Sequence, residues 1–258
     1  MNHISLAEYN ANNKKLEPQR LERQKSGEIN PRMFYSALWD DNIHYAIEYF
    51  NFETNIIKSK THFNICGLLD EFQVPLTNYR VFDYGLHHIS YTILSDNEEL
   101  VQRYSKLRYQ RGKNAELSMD EMVAIGELPI WCNTVQFFMA NDTTGVERNL
   151  NIIETKTLKK LPKKEEGLKD DYEFYKALLA ENKAKMEEVL EKLVSPKIHK
   201  KRNDNPILNQ YISLPALGYA KLAWRKGIEV EVKSALVPKE LLPIQPLDNY
   251  EIPYDFLK

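Results

Sequence analysis

The sequence has few of the residues that mark several large protein classes. It holds nine glycines in 258 residues, too few for a glycine-rich phosphate-binding fold or a turn-rich β-sandwich. Its two cysteines, Cys66 and Cys132, lie in the apolar stretches "NICGLL" and "PIWCNTV". Neither has the C-x-x-C spacing of a zinc or redox site, so both read as buried free thiols. No apolar run approaches the roughly 18 residues of a membrane-spanning helix. The opening "MNHISLAEYNANNKK" lacks the apolar core of a secretory signal. Neither charge sign dominates: the formal net charge is −2, which gives no reason to expect nucleic acid or an anionic membrane as partner. The expectation is a cytoplasmic protein.

What is present is helical punctuation on an ordinary apolar content of 43%, enough to build a core at this length. Residues 1–28 are polar, broken by Pro18 and Gly27, and read as a loosely attached arm or one short helix. A helical domain over 29–258 follows, with a possible loop or subdomain boundary near 195–205. Asn30 can cap a helix whose first turn holds Pro31. Pro75 reads as a break and "NYRVFDYGLHHISYTIL" as one helix. "DNEELVQRYSKLRYQ" is the next, capped by Asp96 or Asn97, and "RGKNAEL" is a loop. Ser118 with Glu121 forms a capping box, Pro129 breaks the chain, and Thr144 with Glu147 suggests a second box. Pro162 ends that helix.

Three stretches share a grammar: "ISYTILSDNEELVQRYSKL", "VQFFMANDTTGVERNLNII" and "YKALLAENKAKMEEVLEKL". Each is an apolar helix end, a small residue (Ser95, Ala140, Ala180), polar capping residues, then an amphipathic helix. The spacing is that of stacked helical hairpins. The fold class expected is therefore all-α, a repeat-like array of antiparallel helical hairpins. Near the C-terminus, Ser213 can cap a helix with Pro215 in its first turn. Ala216, Gly218, Ala220 and Ala223 allow close approach of a neighbour, and Gly227 suits a left-handed C-terminal cap. "IEVEV" then alternates, as a short strand or an extended edge segment. A Pro-rich tail follows, expected to be held to the body by Leu241, Leu242, Tyr254 and Phe256.

Residues suited to catalysis are sparse. Asp83 and His87, four apart, could offer two ligands on one helix face, but no third ligand has a recognisable spacing and no H-E-x-x-H occurs. A helix-surface polar contact is the simpler reading. The paired carboxylates sit at helix starts or exposed faces, where dipole and solvent account for them. The basic run from Lys197 to Arg202 has no interleaved aromatic and reads as a solvated connecting loop. No enzyme, metal or cofactor is indicated.

The stretch "ISLPALGYAKLAWRKGIEVEV", with "LVPKELLP" and the terminal "YEIPYDFL", resembles the C-terminal end of bacterial polymorphic-toxin immunity proteins of the immunity 49 type. The helical PoNi-like immunity proteins are similar in spirit. This resemblance covers Tyr211 to Leu257. It implies a helical, non-enzymatic cytoplasmic protein of the bacterial-competition (type VI secretion) kind that binds a cognate toxin domain and blocks it by occlusion. Under it, the turns carrying Asp96, Glu98, Glu99, Asp142 and Glu147, with Tyr91 and Tyr104 as aromatic anchors, form a candidate toxin-facing edge. The same residues also read as caps and solvated faces. Alternatives are a helical-repeat scaffold for another intracellular protein and an enzyme built on Asp83, His87 and His88. Monomer and homodimer both remain open.

Overall fold

Ser5 opens the first helix, α1 (Leu6–Lys25), by accepting from the Glu8 amide while the Glu8 carboxylate accepts from the Ser5 amide. The computed structural model describes residues 4–111 and 116–258, apart from the Tyr84 side chain. So the polar N-terminus is neither a loose arm nor a short helix, and Pro18 lies inside α1 rather than breaking it. Its inward face is polar, which is why no apolar period announced it. Tyr9 donates to Asp40 at 2.5 Å, Asn10 to the His44 carbonyl at 3.1 Å and Arg20 to Asp41 at 2.5 Å. All three acceptors lie on α2 (Pro31–Glu53), which begins as expected with Asn30 accepting from the Met33 amide and proline in its first turn.

The hairpin partner of α2 is α3 (Ile56–Thr77). Pro75 does not break it: the helix runs two residues further and closes on Asn78 in the left-handed region. The next segment, expected as one helix, is two pieces. A 3₁₀ turn spans Val81–Tyr84, Gly85 takes φ 59° and ψ −133°, and α4 covers Leu86–Leu94. That backbone conformation is open to glycine and closed to other residues. Asp83 and His87 therefore share no helix face.

The three-fold grammar of the sequence is a three-fold repeat of one turn. It joins α4 to α5 (Glu98–Tyr104), α7 (Ile130–Met139) to α8 (Thr143–Ile152), and α9 (Leu168–Leu179) to α10 (Lys183–Val194). In each, the small residue Ser95, Ala140 or Ala180 ends the helix with negative φ. The next residue is left-handed: Asp96, Asn141 and Glu181 have φ of 58°, 56° and 52°. Then Asn97, Asp142 or Asn182 accepts from the backbone amide three residues on. The short Asx side chain satisfies one of the orphan amides of the helix start. Of the two caps open to α5, Asn97 is the one used. One sequence expectation is corrected: α8 is capped by Asp142, with no Thr144–Glu147 box. By contrast, the Ser118–Glu121 box forms and opens α6 (Met119–Ala124). Two short antiparallel strands, β1 (Gln110–Arg111) and β2 (Leu117–Ser118), precede it, pairing Gln110 with Ser118 and Arg111 with Leu117. The centre of the expected "RGKNAEL" loop lies outside the described residues.

The basic run is also not a loop. Ser195 and Pro196 start α11 (Pro196–Arg202), and its cations gather at the C-terminal end that the helix dipole favours. The last helix, α12 (Leu214–Arg225), packs chiefly on α4. Gly218 is the closest approach: a methyl there would overlap the Ser90 side chain. Ser213 does not cap α12, since its hydroxyl is buried without a partner and the Leu214 amide goes instead to Asn203. Gly227, at φ 78°, provides the left-handed exit. "IEVEV" is extended and unpaired in any sheet. Its Glu231 amide and the following Lys233 amide donate to Glu187 and Glu191 of α10. The tail is held as expected: Leu241, Leu242 and Tyr254 are buried, and Phe256 packs with Phe34, Tyr35 and Phe72.

Candidate functional site

The residues expected to face a partner divide into two sets. Tyr91 and Tyr104 are buried on the inner faces of α4 and α5. The Tyr91 ring stacks on Phe63 and meets Trp39 edge-on, and Tyr104 donates to Asp70 at 2.9 Å. Asp96 is fully buried. All three are buried, although Tyr91 also lines a cavity; tyrosine's apolar ring and polar tip serve helix packing as well as interfaces. Glu98, Glu99, Asp142 and Glu147 are exposed. The end of α12 draws their two turns together: Arg225 pairs with Glu98 at 2.6 Å, and Lys226 donates to Asn141 at 2.7 Å.

Asp96 is buried because its left-handed backbone turns the carboxylate inward among cations. Lys60 lies at 2.8 Å, Lys221 at 2.7 Å and Arg225 at 3.9 Å. The Lys221 contact is an ion pair without hydrogen-bond alignment, since its ammonium donates to the Leu241 and Pro243 carbonyls at 2.9 Å each. Burial pushes the Lys221 ammonium down to about 8, against the pull of Asp96. Lys60 donates to the Gln245 carbonyl, and Asp96 accepts from the Gln245 amide. The cluster is thus a clamp on the tail. It was missed in the sequence because only folding brings its members together; a lysine amid "ALGYAKLAW" was the one local sign.

A cavity of about 550 Å³ opens between α4, α7, α9, α11 and α12. Its floor is ordered by Asp171, which takes two hydrogen bonds from Arg202 at 2.8 and 3.0 Å and one from the Tyr219 hydroxyl. Tyr219 also meets the Tyr175 hydroxyl, which donates to the Trp131 carbonyl at 3.1 Å. His87 and Asp83 both line the cavity, from either side of the Gly85 break. Asp83 accepts from the Tyr109 hydroxyl. Burial lowers the His87 imidazole to about 4, and neighbouring His88 adds to the effect, so it is neutral at physiological pH. His88 bonds to Asp70 instead. Most of these residues lie far apart in sequence. Among the described residues no group of three or more His, Cys, Asp or Glu is placed to hold a metal ion. Cys66 and Cys132 are buried free thiols as expected. No helix among the described residues is long and apolar enough to cross a membrane.

Comparison with known proteins places the chain by a family model. The family model described as Immunity protein 49 covers residues 58–241. It therefore reaches well beyond the C-terminal stretch that first suggested it, from early in α3 to Leu241, and leaves "YEIPYDFL" outside. No curated protein and no solved structure matches the chain.

Proposed function

This chain belongs to the Immunity protein 49 family, and from that premise we propose that it binds a cognate antibacterial toxin domain in the cytoplasm and blocks it by occlusion, without chemistry of its own. The observation that carries the reading is the span of the match, which takes in all three repeated hairpins and the cavity between them. The exposed Glu98, Glu99, Asp142 and Glu147 supply a carboxylate edge at two adjoining turns. Such an edge speeds encounter with a basic partner and selects against acidic ones. Its affinity then depends on more buried anchors.

The test is co-expression in bacteria with the product of the neighbouring gene, followed by pull-down from surviving cells. Rescue with a stoichiometric complex supports the reading. Toxicity without rescue refutes it for that partner. Replacing Glu98, Glu99, Asp142 and Glu147 together by alanine should slow association and lessen its salt dependence; an unchanged association rate removes this edge from the contact. The repeated hairpin turns also suit a helical-repeat scaffold for a different intracellular protein. Capture of a non-toxic neighbouring product in place of a toxin would favour that reading.

A further inference from the structure

We propose that the cavity between α4, α7, α9, α11 and α12 receives an arginine side chain from the tip of a toxin loop. The identity of the partner rests on the immunity reading above; the chemistry rests on the cavity itself.

Its lining carries four carboxylates, Asp83, Glu165, Asp171 and Asp204, against two cations, Lys201 and Arg202. The Arg202 guanidinium is already committed, with two hydrogen bonds to Asp171 and one to the Gly167 carbonyl at 2.9 Å. What remains is an excess of negative charge. Asp83 accepts from the Tyr109 hydroxyl but has no close cation, Arg80 lying 3.8 Å away, and the Lys164 ammonium lies 3.7 Å from Glu165. Among the described residues no ion pair reaches Asp204, which lies exposed at the rim close enough to His87 to influence it. The neutral His87 ring adds an acceptor, and among the described residues no hydrogen bond reaches its nitrogens. Trp131 and Tyr175 back the lining as buried rings, their centroids 6.3 Å apart.

Carboxylates at the rim and a neutral acceptor within form a site for a cation that donates in several directions. The planar guanidinium has five N–H donors in a fixed fork and meets carboxylates two at a time, which an ammonium does less well. Anionic occupants are disfavoured, because carboxylates outnumber cations in the lining and the charge of the buried guanidinium is already paired with Asp171. The volume exceeds what one side chain needs and falls in the range of pockets that enclose most of a ligand, roughly 300–1,000 Å³. That leaves room for the loop that carries the arginine. Desolvated arginines in such pockets are recurrent anchors of protein interfaces.

The first arm of the test needs no toxin. The full chain is titrated with N-acetyl-arginine amide, its lysine counterpart and the uncharged citrulline counterpart, while the indole N–H signal of Trp131 is followed by NMR and assigned with Trp131→Phe. The expected result is a saturable shift with the arginine compound, a weaker one with lysine and none with citrulline. Asp204→Asn and Glu165→Gln, both at the rim and harmless to the fold, should each weaken the arginine compound by about two- to fivefold. No saturable shift, an equal response to citrulline, or unchanged affinity in both variants overturns the proposal. The second arm places the double variant in the co-expression assay, expecting weaker toxin binding and weaker rescue than the native chain. Full rescue with unchanged toxin affinity overturns the proposal while leaving immunity intact. Failure of the native chain to rescue overturns the toxin as source, and the first arm then separates that failure from one of the cavity.

Discussion

Asp96→Asn tests the buried clamp directly, and its size follows from the surroundings. Asparagine keeps the shape and tolerates the left-handed backbone, so the change removes little beyond charge. Asp96 is fully buried, as are Lys60 and Lys221 beside it. Without the carboxylate, two ammonium groups remain in the interior facing only carbonyls. Breaking a buried pair on one side costs about 3–5 kcal/mol. For a chain of this size, at roughly 2–4 °C per kcal/mol, Tm should fall by on the order of 10 °C. The pH dependence has a definite sign. Burial holds the folded-state Lys221 at about 8, below its ordinary value of 10.5. The native state thus binds fewer protons than the unfolded state between those values, and stability gains as pH rises through that window. In the variant, Lys221 loses the group that raises it, so its window opens at lower pH and the deficit narrows as pH approaches 8. Thermal unfolding across pH measures both effects. Hydrogen exchange at Gln245, whose amide donates to Asp96 at 3.1 Å, reports release of the tail. Adding Lys221→Met to Asp96→Asn should recover part of the loss. A deficit below about 1 kcal/mol, with Gln245 still protected, would mean that these charges are solvated and that the clamp account is wrong.

The remaining predictions concern packing and protonation. Gly218→Ala should cost about 1–3 kcal/mol in denaturant unfolding, since the added methyl must displace the Ser90 side chain and part α12 from α4. Tyr254→Ala should cost about 3 kcal/mol and loosen α1 as well, because the Tyr254 hydroxyl donates to Glu17 at 3.0 Å; faster proteolysis within α1 would register it. Burial lowers His62 and His87 to about 4 from an ordinary 6.5. Below pH 6.5 the unfolded rings take up protons that the folded ones refuse, so stability is lost as pH falls toward 4. His87→Gln should therefore gain on the native chain across that interval in thermal melts. Asp41 behaves oppositely. Burial, only partly offset by Arg20, raises it to about 7 from 3.8, so its native state holds extra protons between those values. Asp41→Asn should gain on the native chain as pH rises from 4 to 7, measured in the same way.

Much of the fold was legible because its signals are local. An Asx side chain reaches an amide three residues away whatever the rest of the chain does, so Asn30, Asn97, Asp142 and Asn182 mark helix starts in the sequence itself. Ser118 with Glu121, Gly227 after Arg225 and Lys226, and the small-residue face of α12 are of the same kind. Where two local readings competed, the sequence left the choice open or led to the wrong one. Asp96 and Asn97 are both good caps, and only the turn geometry shows that the first is left-handed and the second caps. Thr144 and Glu147 matched a box that Asp142 pre-empts, capping the helix two residues earlier. Pro18 and Pro75 looked like breaks, yet tertiary packing sustains the helices that contain them.

The candidate site was far less legible. The sequence by itself determined the helical class, the hairpin repeat, the turns and the exposed carboxylates Glu98, Glu99, Asp142 and Glu147. Only the tertiary structure decided that Asp96, Tyr91 and Tyr104 are interior, that α1 docks through polar contacts, and that a cavity gathers residues from Asp83 to Tyr219. The physical reason is one of range. Caps and turns are short-range contacts, fixed by spacing along the chain. Burial of a charge is set by partners such as Gln245, 149 residues from Asp96, which no local pattern can announce.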